Sequence, residues 1–408
     1  METQRLFQQV AALESEMVDA LMQLIRVPAV GPESGGTGES SKAELLMQML
    51  SKVGFDKIER YDANDQRVPS GKRPNIVAYL NGRTDSQRLW IVTHLDVVPA
   101  GEDSLWKITK PFEPKTQDGR VYGRGSEDNG QSLVASLFAA KAIKLLGIKP
   151  SRTIALAFVS DEEQGSEKGI QHLISEGLFR GDDLVIVPDS GRPKGDFIEI
   201  AEKSILWFKL VTIGKQSHGS LPNKGLNAHR IGMQVALQLD TWLHSKYNAR
   251  DDYFDVPYST FEPTRKEKNV DAVNIVPGED TVYFDCRILP QYSLDNVLQD
   301  INKIRADFEE KTGAKIKLEI LQRQASPPIS NGNSEIVALL SEALLKARGT
   351  TVTVGGVGGG TCAAFFRNHG IPAIVWSTID EVPHQPDEYT KIENIVEDAK
   401  VYALLAVM

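Results

Sequence analysis

The chain is expected to be an α/β protein, with a mostly parallel sheet covered by helices on both faces and an inserted α+β unit. Three observations carry that expectation. Apolar runs such as "LWIVTHLD" (89–96), "TIALAFVS" (153–160) and "DLVIVPD" (183–189) are continuous rather than alternating, as strands buried on both faces are. Segments of helical period separate them, which is the alternation of a parallel sheet. From about residue 201 the pattern changes to hairpin-style strands with two helices, and at about 326 the first pattern returns. A length of 408 residues also exceeds the ~250–300 at which a single core stops growing.

The elements follow in order. In "METQRLFQQVAALESEMVDALMQLI", Leu6, Val10, Leu13, Met17, Leu21 and Leu24 recur at spacings of three and four. That is an amphipathic helix, without the basic-then-apolar layout of a signal peptide. A helix over 40–54 leads to a strand at 75–80 ("NIVAYL") and another at 89–96. Helices over 130–147 and 169–179 flank the strand at 153–160, and a further strand covers 183–189. The insertion reads strand ("SILWFKLVTIG"), helix ("GLNAHRIGMQVALQLDTWLHSKY"), strand ("TVYFDCRILP"), helix ("SLDNVLQDINKIRADFEEKTG"), strand ("KIKLEILQR"). A helix over 334–349, a strand at 371–378 and a closing helix over 392–408 complete the chain. The expected organisation is therefore one discontinuous α/β domain from residues 1–200 and 326–408, with an inserted lid from 201–325. No internal repeat is visible.

Composition narrows the function classes. The chain is 41% apolar and 25% charged, ordinary for a globular protein. Its 46 basic and 55 acidic residues leave a net charge of −9, which argues against a nucleic-acid partner or an anionic membrane surface. No apolar run approaches the ~18–20 residues that span a bilayer. The two cysteines, Cys286 and Cys362, cannot form a disulfide framework and suit a reducing compartment, so a cytoplasmic protein is expected.

Four apolar strands each stop at polar groups. "WIVT" leads to His94 and Asp96, "LAFVS" to Asp161–Glu163, "LVIVP" to Asp189, and "AIVWST" to "IDEVPHQ" with His384. Asp128, in "YGRGSED", lies in a loop entering a helix. In an open parallel sheet the carboxyl ends of the strands face one crevice. Two histidines and at least three carboxylates gathered there can bind divalent metal, and suit zinc in a nitrogen/oxygen site. A bridging carboxylate would allow two ions ~3.5–4 Å apart, the spacing at which they activate water and polarise a carbonyl together. The strand period puts His94 and Asp96 on one side, which suits Asp96 as the acceptor that orients the His94 ring. Glu162 and Glu163 project differently, so one can bind metal while the other handles protons.

"THLDVVP", "PFEPKTQDGRVYGRGSED", "DEEQGSEKG", "SHGSLPNKGLNAH", "NIVPGEDTVYFDCRILP" and "GGGTCAAFFRNHGIP" together resemble one family. It is the two-zinc peptidase and deacylase family of acetylornithine deacetylase, succinyl-diaminopimelate desuccinylase, aminoacylase, glutamate carboxypeptidase and cytosolic dipeptidases. The resemblance implies Asp128 as bridging ligand, His94 and Asp189 on one metal, and Glu163 and His384 on the other. It implies Glu162 as general base and Asp96 as the residue orienting His94. His218 would stabilise the oxyanion, often in a dimer partner's active site. Asn274, Arg287 and the "GGGT" turn, with Gly359, Gly360 and Thr361, would hold a substrate carboxylate. The implied cofactor is two divalent ions, zinc first, with cobalt or manganese able to substitute. The implied partners are a small peptide or N-acyl amino acid and a second copy of the chain, docked through the lid.

Three departures stand out. Thr93 replaces a glycine common before the histidine, "EDNGQS" replaces the usual acidic–x–Lys–Gly, and Cys362 stands where many members carry aspartate. Asp189, rather than glutamate, favours the dipeptidase and aminopeptidase members over the deacylases. Other readings are available for single residues. Arg287 could pair with Asp285 or Glu279, "QSHGS" could be a plain turn, and His172, His229 and His244 fall in helical patterns. His369, in "FRNHG", fits a helix C-terminus. "GGVGGGT" lacks the Lys–Ser/Thr ending of a phosphate loop. Cys362 lacks the companions of a nucleophile. The sequence thus predicts a metal-dependent dipeptidase, aminopeptidase or carboxypeptidase-like peptidase acting on a small carboxylate-bearing substrate. An N-acyl-amino-acid deacylase, such as succinyl-diaminopimelate desuccinylase or acetylornithine deacetylase, is the alternative, and a non-catalytic binding protein the remote one.

Overall fold

The computed structural model describes residues 2–380 and 382–408. Twelve principal strands occur in chain order: β1 Lys57–Asn64, β2 Lys72–Leu80, β3 Leu89–His94, β4 Ile154–Val159, β5 Leu184–Val187, β6 Phe197–Glu202, β7 Ser204–Ile213, β8 Thr260–Lys266, β9 Glu279–Ile288, β10 Lys315–Gln324, β11 Thr353–Val357 and β12 Ala373–Val375. Internal packing divides the chain into two compact units. One comprises residues 1–200, 328–355 and 361–408, and the other 201–327 with 356–360.

The first unit is built on an eight-stranded sheet of order β1-β2-β4-β3-β5-β12-β6-β11. β4, β3, β5 and β12 are neighbours, and each pairs with the next in parallel. Every residue of these four strands is buried, which is why their sequences show no alternation. On one face Trp90 packs between Tyr79 and Phe179, with Phe366 edge-on to Phe179. The long helices Ser132–Leu145 and Ile392–Val407 are buried along most of their length and pack on each other. Burying a large apolar side chain such as these carry contributes ~1.5–3 kcal/mol, so the four parallel strands are firmly fixed.

The edges of this sheet depart from the sequence expectation. β2 starts three residues earlier than "NIVAYL" and runs antiparallel to both neighbours. β1 was not anticipated, because "KIERYDAN" is a largely polar, half-exposed edge. The strand expected over 371–378 is regular only from Ala373 to Val375, and the helix expected over 169–179 only from Ile170 to Ser175.

The second unit is an antiparallel sheet of order β8-β9-β7-β10. Helices Ala228–Lys246 and Leu294–Thr312 pack with it around one core, in which Leu206, Phe208, Val235, Phe284, Cys286, Val297 and Ile301 meet. Asn227 and Ser293 cap the two helices by accepting from backbone N–H groups of the first turn, as small polar N-caps do. Both cysteines are buried and unbridged. Among the described residues, no helix is long and apolar enough to cross a membrane.

Candidate active site

β3 delivers His94 at its C-terminal end, fully enclosed. The ring Nδ1 lies 3.0 Å from the main-chain carbonyl of Asp96 and 3.5 Å from the Asp96 carboxylate. A proton on Nδ1 donates to that carbonyl and leaves Nε2 with its lone pair free. The carboxylate of Asp96, expected to orient the ring, faces it and has further partners. Its two oxygens accept from the backbone N–H groups of Glu162 and Glu163, each at 3.1 Å. Asp96 therefore ties the end of β3 to the turn after β4. That turn opens with Asp161 at φ 66°, and the buried Arg73 lies 3.3 Å from the Asp161 carboxylate while also gripping Glu39.

Four further groups surround His94 and one another. Its Nε2 is 2.8 Å from Asp128 Oδ1 and 3.2 Å from Asp189 Oδ1. The other oxygen of Asp128, Oδ2, is 3.0 Å from His384 Nε2, which is also 3.3 Å from Glu163 Oε2. Asp128 thus stands between the two histidines, one oxygen toward each. The ligand atoms of His94, Asp128 and Glu163 form one group that could hold a metal ion, and those of His94, Glu162 and Asp189 form another.

Two buried carboxylates absent from the sequence reading hold these loops. Glu388 accepts from Arg124 Nη1 at 2.6 Å and from the backbone N–H groups of Gly125, Glu127 and Asp128 at 3.0–3.2 Å. Glu127 in turn accepts from the N–H groups of Asp380 and Val382, just before His384. The segment carrying Asp128 and the segment carrying His384 therefore clasp each other. Asn129, inside the unusual "EDNGQS", donates to Pro188 O and Asp189 Oδ1, both at 2.8 Å. No sequence pattern marks Glu388 or Glu127. Asn129 was visible only as part of a departure.

Charge supplies the test of whether metal fits. Asp96, Asp128, Glu162, Glu163 and Asp189 crowd one small volume with two imidazoles. Burial, then the charges of Asp189 and Glu163, holds the Glu162 carboxyl well above its usual range. Burial and Asp128 push Glu163 up to about 7. Hydrogen bonds to Asp128 and Glu163 raise His384 to about 10. For His94, burial works against protonation, yet Asp189 and Asp128 outweigh it and carry the ring well above its usual value. Each shift expresses one need, positive charge among the carboxylates. Glu163 Oε1 is also buried without a hydrogen-bond partner. Two divalent cations would supply four positive charges to five carboxylates and leave both imidazoles neutral. The residues fit the group.

The remaining sequence-predicted residues lie mostly in the second unit. The short strand Ser217–His218 pairs with Ile275–Val276, so exposed His218 and Asn274 are neighbours, with Gly219 N–H donating to Asn274 O. His218 Nδ1 accepts from the Ser220 hydroxyl at 2.8 Å. Arg287 forms a two-pronged ion pair with Asp285, at 2.7 and 3.0 Å, and donates to Gly358 O. The pairing with Asp285 named among the sequence alternatives is thus present, and Glu279 is not its partner. Gly359 and Gly360 are exposed. Thr361 Oγ1 accepts from Ala363 N–H at the start of the helix Ala363–Asn368.

A parallel sheet whose strand ends converge on an acidic, two-histidine cluster defines a metal-dependent hydrolase. Residues 90–407 match peptidase family M20/M25/M40, and the chain belongs to that family. An uncharacterized metallohydrolase of Methanocaldococcus jannaschii is 41% identical over 405 residues, covering 96% of this chain and 98% of the relative. A succinyl-diaminopimelate desuccinylase of a Nitratiruptor species is 25% identical, covering 93% and 96%. Among solved structures, human carnosine dipeptidase 1 superposes with a TM-score of 0.79 at 16% identity, over 100% of this chain and 98% of that one. The protein is a metal-binding hydrolase with this α/β architecture.

Proposed function

We propose that the chain hydrolyses the amide bond of a small, carboxylate-bearing peptide, using two divalent ions, zinc by preference and cobalt or manganese in its place. The observation that carries the reading is Asp128, with one oxygen toward His94 and the other toward His384. In this reading His94, Asp128 and Asp189 would hold one ion, and Asp128, Glu163 and His384 the other. When bound, the ions would supply Lewis acidity, lowering the pKa of a water and polarising the scissile carbonyl. Glu162 would take a proton from the attacking water and deliver it to the leaving nitrogen, the general-base role open to a carboxylate beside the cluster that no proposed ion uses. Asp96 keeps Glu162 and Glu163 at their stations through the two backbone N–H groups. His218 is assigned to the developing oxyanion, and Asn274, Arg287, Gly359, Gly360 and Thr361 to the substrate carboxylate. Arg287 suits that role because Asp285 fixes its planar fork. We assign the 201–325 segment to closure over substrate and to homodimer formation, and the protein to the cytoplasm.

A second reading, an N-acyl-amino-acid deacylase, draws on the desuccinylase relatives. The test is amine release by the zinc- or cobalt-loaded protein from dipeptides, N-succinyl and N-acetyl amino acids. Turnover of dipeptides supports the peptidase. Turnover of the acylated substrates alone replaces it with the deacylase. Glu162→Gln is expected to lower kcat by ~10²–10⁴-fold with both ions still bound. An unchanged kcat would remove Glu162 from the chemistry.

A further inference from the structure

The helix Ser40–Val53 turns Ala43, Leu46 and Leu50 into the core, and with them a charged residue, Lys42. A lysine at a core-facing position is rarely left without a purpose, since a buried ammonium needs compensating groups. Lys42 is 6% exposed, and its Nζ makes a single hydrogen bond, 2.9 Å to the carbonyl of Leu95. Leu95 is the residue between His94 and Asp96. Two of the three ammonium protons are therefore left to other acceptors.

A cavity of about 10 Å³ lies beside this ammonium, lined by Lys42, His94, Asp96, Gly125 and Asn129 among others. That is room for one water, provided polar partners surround it. They do. Asn129 is 3% exposed and its Oδ1 is buried with no hydrogen-bond partner, while its Nδ2 already serves Pro188 and Asp189. A water accepting from Lys42 can donate to Asn129 Oδ1 and to Asp96, which engages a second ammonium proton and the orphaned acceptor together.

We infer that Lys42 is a positioning residue for one metal site: its ammonium, bonded to Leu95 O and reaching Asn129 and Asp96 through one enclosed water, fixes the arms that carry His94 and Asp189. The inference rests on the proposed ion between those two residues. Lys42 touches neither the ion nor substrate. It acts by holding the backbone that follows His94 and by fixing the amide that steers the Asp189 carboxylate. Groups behind metal ligands act on affinity in this way.

The experiment compares wild type, Lys42→Met and Lys42→Gln by zinc titration of the apo-proteins against a competing chelator, with thermal unfolding of each apo-protein beside it. Wild type should take up two zinc ions. Lys42→Met should weaken one of the two by about 10-fold or more and leave the other unchanged. Lys42→Gln, which keeps a donor for Leu95 O, should weaken the same ion by less, and serves if the methionine variant does not fold. If Lys42 is merely structural, its replacement would shift the unfolding temperature and leave zinc affinity of the folded variants at the wild-type value, which would overturn the inference. Wild-type protein that takes up no zinc would overturn the two-metal reading, and this inference with it.

Discussion

His94 and His384 both face Asp128, but the chain brings them there by different routes. His94 ends a fully buried central strand, and its side chain is 2% exposed, with Nδ1 fixed by the next turn of backbone. His384 lies nine residues beyond the end of β12, at φ 64°, with its side chain 54% exposed. One arm is positioned by the sheet. The other is positioned by a clasp of two carboxylates, Glu127 and Glu388, on loop backbone. Groups on strands are held more exactly than groups on loops, so the two halves of the site should differ in how strongly they hold an ion and how easily they give it up.

The sharpest way to break this comparison is to remove each histidine in turn. His94→Ala should leave one zinc per chain and lower kcat by ~10³-fold or more, because several kcal/mol of charge stabilisation are lost and each 1.36 kcal/mol is tenfold. His384→Ala should also leave one zinc per chain, with a smaller fall in kcat and little change in the affinity of the ion that remains. Metal analysis and steady-state kinetics of both variants decide the matter. Equal losses would erase the distinction between the sheet-held and loop-held arms.

A smaller effect sharpens it. Glu388→Ala removes the acceptor of three backbone N–H groups and of buried Arg124. Breaking a buried ion pair by deleting one partner typically costs ~3–5 kcal/mol, so urea unfolding of the apo-protein should shift by that amount. Glu388→Gln, which keeps an acceptor oxygen, should cost less.

The same contrast explains what the sequence disclosed. The strand-held half was legible: runs of buried residues ending in His94, Glu162–Glu163 and Asp189 announce strands, and the coincidence of several such ends points to one crevice. Resemblance to a family reached His384, yet no periodic signal leads there, because a loop at positive φ leaves none. Glu388 was invisible for another reason. Its four hydrogen bonds depend on residues some 260 positions away, and an acidic residue in "HQPDEYT" reads as a solvated turn. Lys42 did leave a trace, as the charged member of the stripe 42, 46, 50 at helical spacing. The edge strand β1 was lost to its own polarity, since a half-exposed edge does not need the apolar pattern that central strands do.

Lys42 also yields the smallest prediction, a pH dependence of stability. Burial lowers its pKa from 10.5 to about 8, against the opposing charges of Asp96, Glu39 and Glu388. The native state therefore binds fewer protons than the unfolded chain between pH 8 and 10.5, and unfolding free energy rises with pH across that window. Below pH 8 the lysine is charged in both states, and burying the ammonium costs the fold about 3 kcal/mol relative to an alkaline solution, at 1.36 kcal/mol per unit. Above 10.5 it is neutral in both, and that cost is gone. In urea unfolding of the apo-proteins, the stability of wild type relative to Lys42→Met should therefore climb between pH 8 and 10 and be flat between pH 6.5 and 7.5. A constant difference across both ranges would mean that Lys42 keeps its ordinary basicity in the fold. The sheet-held arm would then contain no buried charge of the strength its surroundings imply.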